Sequence, residues 1–245
     1  MSSNTPSYSE LVASIRKEGE AVLAAARFGV ETTVPTCEGW EVDDLLLHLG
    51  RVYCRAAALV SERSTRQQDY PPEPPADTDP IDYVTDALDD LVEALTSADP
   101  DTPVWNWSGK SQTAAFWARR MAHESAVHRY DAQRAHGVAQ PIDDDLARDG
   151  LDEMIDVLLP RIVERDDVAL PSASFLLTAA DDGDWAVRLG PDGVERPDVL
   201  KEPDVTVRGT PSALLLAAYN RIRWTSLEAE GDTALLDEWS QLLKF

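Results

Sequence analysis

Positive charge is what this sequence has least of. Only Lys17, Lys110, Lys201 and Lys244 are lysines, and 22 Lys and Arg face 45 Asp and Glu, a formal net charge of −23. Duplex nucleic acid, whose phosphates call for clustered basic side chains, is excluded as a partner on that ground. Anionic membrane surfaces are disfavoured for the same reason. The preference for Arg over Lys, with many Asp and Ala, is common in proteins of high-GC genomes. Cysteine is scarcer still. Cys37 and Cys54 cannot frame a chain of 245 residues with disulfides, so each is expected to be a buried thiol. No apolar run approaches the roughly 20 residues that span a bilayer. The first residues, MSSNTPSYSE, have neither a basic segment nor an apolar one. A cytoplasmic protein is expected. Histidine is the last scarcity, with His48, His123, His128 and His136.

What is present supports packed cores: 43% apolar residues, seven tryptophans among them. Apolar residues recur at helical spacing over 8–28, at Leu11, Ile15, Val22, Leu23 and Ala26. A second helix is expected from Val42, with Asp43 and Asp44 suited to its positive end. The stretch DYPPEPPADTDP is too rich in proline for regular structure and reads as a surface connection or lid. Residues 81–98 carry a third apolar stripe, and a fourth helix is expected from about Thr113 to His136, closed by Gly137. Helices of this length with no strand pattern between them suggest an antiparallel four-helix bundle over 1–142.

The pattern changes beyond Pro141. A further helix is expected to end or kink near Pro160. SFLLTA and WAVRLG, bridged by DDGD, read as a hairpin, and DVTVRG alternates as a strand does. Helical patterns return in PSALLLAAYNRI and TALLDEWSQLL. Residues 143–245 therefore read as a small α+β domain.

The stretch RRMAHESAVHRYDA raises the question of chemistry. It resembles the H-E-x-x-H helix of zinc proteases, but His123 and His128 are five apart. Glu124 and His128, four apart, lie about 40° from each other on one face, with Asp131 close by, while His123 turns roughly 100° from Glu124. Two ligands on one helix do not complete a zinc site. His48, inside the apolar run LLLHLG, is the candidate third. A hydrogen-bonded core histidine and a surface ion pair would account for the same residues.

Two longer patterns add to this reading. VPTCEGWEVDDLLLHLG and RRMAHESAVHRYDA resemble the two signatures of the mycothiol-dependent maleylpyruvate isomerase family. VWNWSGKSQTAAFWARR, DGDWAVRL, DVTVRGTPSALLL and LEAEGDTALLDEW are similar to further segments of that family. The resemblance implies a DinB-like bundle followed by a sterol-carrier-like α+β domain. It implies that His48, Glu124 and His128 bind a divalent metal, zinc foremost, and that mycothiol is the thiol cofactor. In the reaction so implied, the thiol adds to the cis double bond of maleylpyruvate. Rotation and expulsion of the thiol then give fumarylpyruvate. A mycothiol S-transferase and a non-catalytic metal-stabilised binding protein are the alternatives. Arg221 matches the family's substrate-binding arginine, with Arg223 as rival, although YNRIRW departs locally from the family's run. A second departure is Glu38, where the family has Pro before Gly-Trp. Asp131 is expected to orient a ligand histidine, and Arg120 and His123 to contact the cofactor. Trp105 and Trp107 are expected to cap the bundle without a role at the site.

Overall fold

The structure is a computed structural model and describes residues 5–166, 170–180 and 183–243. Contacts divide the chain into two compact units, Pro6–Ile142 and Asp143–Phe245.

The first unit is a bundle of α1 (Tyr8–Ala26), α2 (Val42–Ser61), α3 (Pro80–Ser97) and α4 (Ala114–Ala135). Local chemistry starts and stops these helices close to where the pattern predicts. Ser7 and Glu10 form a reciprocal cap at α1, and Asp79 accepts from Ile81 and Asp82 ahead of Pro80 in the first turn of α3. The apolar stripes meet in a core that includes Ile15, Leu45, Leu49, Leu88, Leu91 and Met121, all nearly or fully buried. Cross-helix bonds set the directions. The Tyr8 hydroxyl donates to Leu95 O at 2.7 Å, and Gly19 lies against Leu88, so α1 and α3 run antiparallel. Tyr53 meets Ser125 while Thr36, ahead of α2, meets Asp131, so α2 and α4 run antiparallel as well. A Cβ at Gly50 would come within 2.5 Å of the Tyr83 ring, so glycine lets α3 approach α2 closely. The proline-rich connection over 62–79 contains no helix or strand, as its composition predicts.

The second unit opens with α5 (Asp144–Glu153), a π-helical stretch at Met154–Leu158, and α6 (Leu159–Asp166). Pro160 therefore does not end the helix. Proline would clash with the carbonyl four residues earlier in a regular α-helix, and the wider turn just ahead of it relieves that conflict. A mixed sheet follows, formed by β1 (Ala173–Thr178), β2 (Asp184–Gly190), β3 (Gly193–Glu195), β4 (Val205–Arg208) and β5 (Glu228–Gly231). Its order among the described residues is β3-β2-β1-β4-β5, with β1 and β4 parallel and the other pairs antiparallel. The expected hairpin is β1 with β2, pairing Ala173 with Leu189 through Thr178 with Asp184; of its DDGD bridge, Asp181 and Asp182 lie outside the described residues. Helix α7 (Pro211–Ala218) starts on Thr210, whose hydroxyl accepts from Ala213 N. Helix α8 (Leu235–Leu242) brings Trp239 against Phe175, ring centres 5.2 Å apart, to close the core. The chain is thus a helical bundle followed by a small α+β domain. Among the described residues no helix is long and apolar enough to cross a membrane.

Candidate metal centre

Helix α4 carries a polar stripe that is bonded from end to end. Arg120 Nη2 donates to Glu124 Oε2 at 2.6 Å, Glu124 Oε1 lies 3.4 Å from His128 Nε2, and His128 Nδ1 lies 3.0 Å from Asp131 Oδ2. The sequence intervals of four, four and three keep these side chains on one face. Opposite them, α2 presents His48, whose Nε2 lies 3.0 Å from Glu124 Oε1. The register that allows this is fixed by buried hydroxyls: Ser125 donates to Met121 O, and the Tyr53 hydroxyl meets Ser125 Oγ at 2.6 Å.

The loop ahead of α2 supplies the rest. Trp40 N bonds to Cys37 O, closing a turn in which Gly39 has φ +80°, a conformation that favours glycine. Proline suits the preceding position of such a turn but is not required there, so Glu38 fits. The turn aims Thr36 at Asp131, Oγ1 donating to Oδ1 at 2.6 Å, and sets Cys37 Sγ 3.7 Å from Oδ2. Trp40 lies beside both imidazoles, 5.2 Å from the His48 ring and 6.4 Å from the His128 ring. The sequence marks this segment only by its resemblance to the family's first signature, without a role for Thr36 or Trp40. The signal that could have exposed its role was its Thr and Trp at fixed offsets from Gly39.

Burial opposes ionisation of Glu124, but the Arg120 charge and bonds from His128 and His48 outweigh it and hold the carboxyl well below the ordinary carboxylate range. Burial likewise opposes charge on His128, yet Asp131 and Glu124 raise its pKa to about 9. The two carboxylates beside His128 therefore favour a positive charge between them.

The family models for the mycothiol maleylpyruvate isomerase N-terminal domain and for the MDMPI C-terminal domain match residues 12–133 and 145–238. The chain belongs to the mycothiol maleylpyruvate isomerase family. It is thereby an enzyme of a mycothiol-dependent family. A solved mycothiol-dependent maleylpyruvate isomerase shares the fold, with a TM-score of 0.66 and 13% identity over 94% of this chain and 95% of that one. A histidine-to-alanine mutant of that enzyme superposes with the same TM-score at 12% identity. No curated protein matches the chain.

The donor set of this family member fits a divalent cation. His48, Glu124 and His128 each offer one ligand atom, all within 4.8 Å of one another. Two imidazoles and a carboxylate form the kind of protein donor set that catalytic zinc uses. Asp131 accepts the Nδ1 proton of His128 and so leaves Nε2 facing Glu124. Asp131→Asn should therefore weaken metal binding about 10- to 100-fold, read from competition with a chromophoric chelator, while the fold persists. Unchanged affinity would remove Asp131 from the site.

The remaining candidates are not among the gathered ligand atoms. His123 is fully buried and is not among the gathered ligand atoms, as its angle on the helix predicts. Arg120 is buried and engages Glu124, which makes it a partner of the carboxylate. Arg221, in the second unit, is 9% exposed and donates to Tyr219 O at 2.9 Å. Its turn is pinned by Asn220, which donates to Ser240 O and Leu243 O. Arg223 is exposed. Trp105 and Trp107 pack onto α4, the first accepting from Trp117 Nε1 through its carbonyl and the second lying edge-on to Phe116.

Proposed function

We propose that this enzyme isomerises a cis-unsaturated small-molecule electrophile of the maleylpyruvate type, using mycothiol and a divalent metal, zinc foremost, held by His48, Glu124 and His128. The observation that carries the reading is the convergence of those ligand atoms within 4.8 Å in a chain of this family. A divalent cation in such a set lowers the pKa of a thiol that reaches it, so that the thiol reacts as its thiolate.

The chain's own residues prepare that site. Glu124 supplies the negative charge, and Arg120 holds its second oxygen so that Oε1 stays turned toward the imidazoles. Asp131, itself fixed by Thr36, sets the tautomer of His128. Trp40 covers one side of both rings and limits their rotation. Arg221 is the proposed contact for a substrate carboxylate, since a guanidinium binds carboxylate through two parallel bonds.

The test is thermal. Mycothiol at about 100 times its Kd should stabilise metal-loaded protein by about 2.7 kcal/mol, a rise of about 5–10 °C, and leave metal-stripped protein unmoved. Equal shifts in both forms, or none in either, would sink the metal-and-thiol reading. The free-thiol count then separates the reactions: an isomerase leaves it unchanged over many turnovers, whereas an S-transferase consumes it.

A further inference from the structure

Arg51 and Arg55 lie on the face of α2 that carries His48, turned about 60° and 20° from it and displaced about 4.5 and 10.5 Å along the axis. Both are only partly exposed; Arg51 has one carboxylate partner, the exposed Glu73. The Arg55 guanidinium carbon sits 4.0 Å from the centre of the Tyr70 ring and 5.6 Å from that of Trp105. Among the described residues no carboxylate pairs with it. Arg51 lies 5.7 Å from the same Tyr70 ring and reaches Glu73 Oε1 and Pro71 O only at 3.4 and 3.3 Å. The buried Nε atom of each has no hydrogen-bond partner.

This arrangement is costly in a chain with twice as many acidic residues as basic ones. Carboxylates are abundant, yet the part-buried Arg55 guanidinium is left to aromatic faces, and Arg51 to a ring, a carbonyl and one exposed carboxylate at 3.4 Å. Contact with a ring face uses none of the five N–H donors, so the donors stay available to an anion. Glu73, 81% exposed, already touches Arg51 from outside, so a carboxylate can reach it.

We propose that Arg51 and Arg55 form a carboxylate subsite on the metal-ligand face of α2, which takes a carboxylate of the small-molecule electrophile. The identity of the electrophile rests on the function proposed above; the anion site itself does not. Tyr70 and Trp105 hold the Arg55 guanidinium in place and keep its positive charge from being quenched by the protein's own acids. A substrate bearing two acidic groups would then be gripped at one end here, while its reacting bond lies toward His48.

The experiment uses maleate as the probe and tryptophan fluorescence as the readout, on metal-stripped and metal-loaded full-length chain. Saturable maleate binding is expected without metal. Arg55→Gln and Arg51→Gln should each weaken it about 10- to 100-fold, the loss expected for a charge-assisted pair. Arg55→Lys should recover part of it, and Arg27→Gln, at the exposed end of α1, should change nothing. Metal content and mycothiol protection should stay at the unsubstituted level in all of them, and KM should rise for the electrophile but not for mycothiol. No saturable maleate binding, or undiminished binding by Arg55→Gln, overturns the subsite while leaving the metal reading intact. A rise in KM for mycothiol alone assigns the anion to the thiol cosubstrate and overturns it too. Loss of metal or of mycothiol protection from unsubstituted protein strikes the proposed function instead.

Discussion

His48→Ala should leave the purified chain without stoichiometric metal and drop thiol-dependent turnover by about 10³-fold or more, while the protein still folds. The size follows from what remains. Glu124 and His128 are two ligands from one helix, short of the three that a catalytic zinc site uses, so the ion is lost at ordinary concentrations. With it goes a contribution of several kcal/mol to activation, equivalent to three or more powers of ten in rate. The cost to the fold is small, about 1 kcal/mol, because the His48 side chain is 36% exposed and its one side-chain hydrogen bond among the described residues is to Glu124. Glu124 is not stranded, since Arg120 still pairs with it at 2.6 Å. Metal analysis and circular dichroism on the same sample check both halves. Full metal retention would remove His48 from the ligand set; loss of helical signal would mean that the variant reports on folding instead.

Much of this site can be read from the amino-acid sequence, because its central part is local. Arg120, Glu124, His128 and Asp131 sit at helical intervals, and a period of 3.6 aligns them before any fold is known. His48 announces itself as an imidazole in an apolar run. The four helices are legible for the same reason, as are the β1–β2 hairpin and β4. What escapes is set by distance along the chain or by the absence of a periodic signature. The strands GVE and EAEG are too short and too polar to alternate visibly, and β3 and β5 exist because β2 and β4 offer edges to pair with. The π-helical stretch before Pro160 relaxes a steric conflict, and a pattern of apolar residues carries no mark of it. Thr36 finds Asp131 across 95 positions, and no spacing rule links them.

The same limit hides an ion pair that the bundle depends on. Arg129, next to His128 on the chain but facing the other way, is buried, and its Nε donates to buried Glu18 of α1 at 2.7 Å. Its remaining donors reach Gln133 Oε1, Gln140 O and Pro141 O, which ties α1, α4 and the segment after α4 together. Arg129→Met should destabilise the bundle by about 3–5 kcal/mol, since it leaves the buried Glu18 carboxylate with only the exposed Lys17 ammonium, 3.6 Å from its other oxygen. In a chain of this size that lowers the bundle's unfolding temperature by about 6–20 °C. Replacing both partners, Glu18→Met with Arg129→Met, should recover most of the loss, because two methionines fill the space without a charge to desolvate. A single substitution that costs under about 1 kcal/mol, or a double variant no better than the single, would show that the pair is hydrated and contributes little. An ion bound by His48, Glu124 and His128 favours the folded bundle by mass action, so excess metal should raise the unfolding temperature of unsubstituted protein and of Arg129→Met alike, and the difference between the two should persist in chelator, since Arg129 bonds to none of the three ligands.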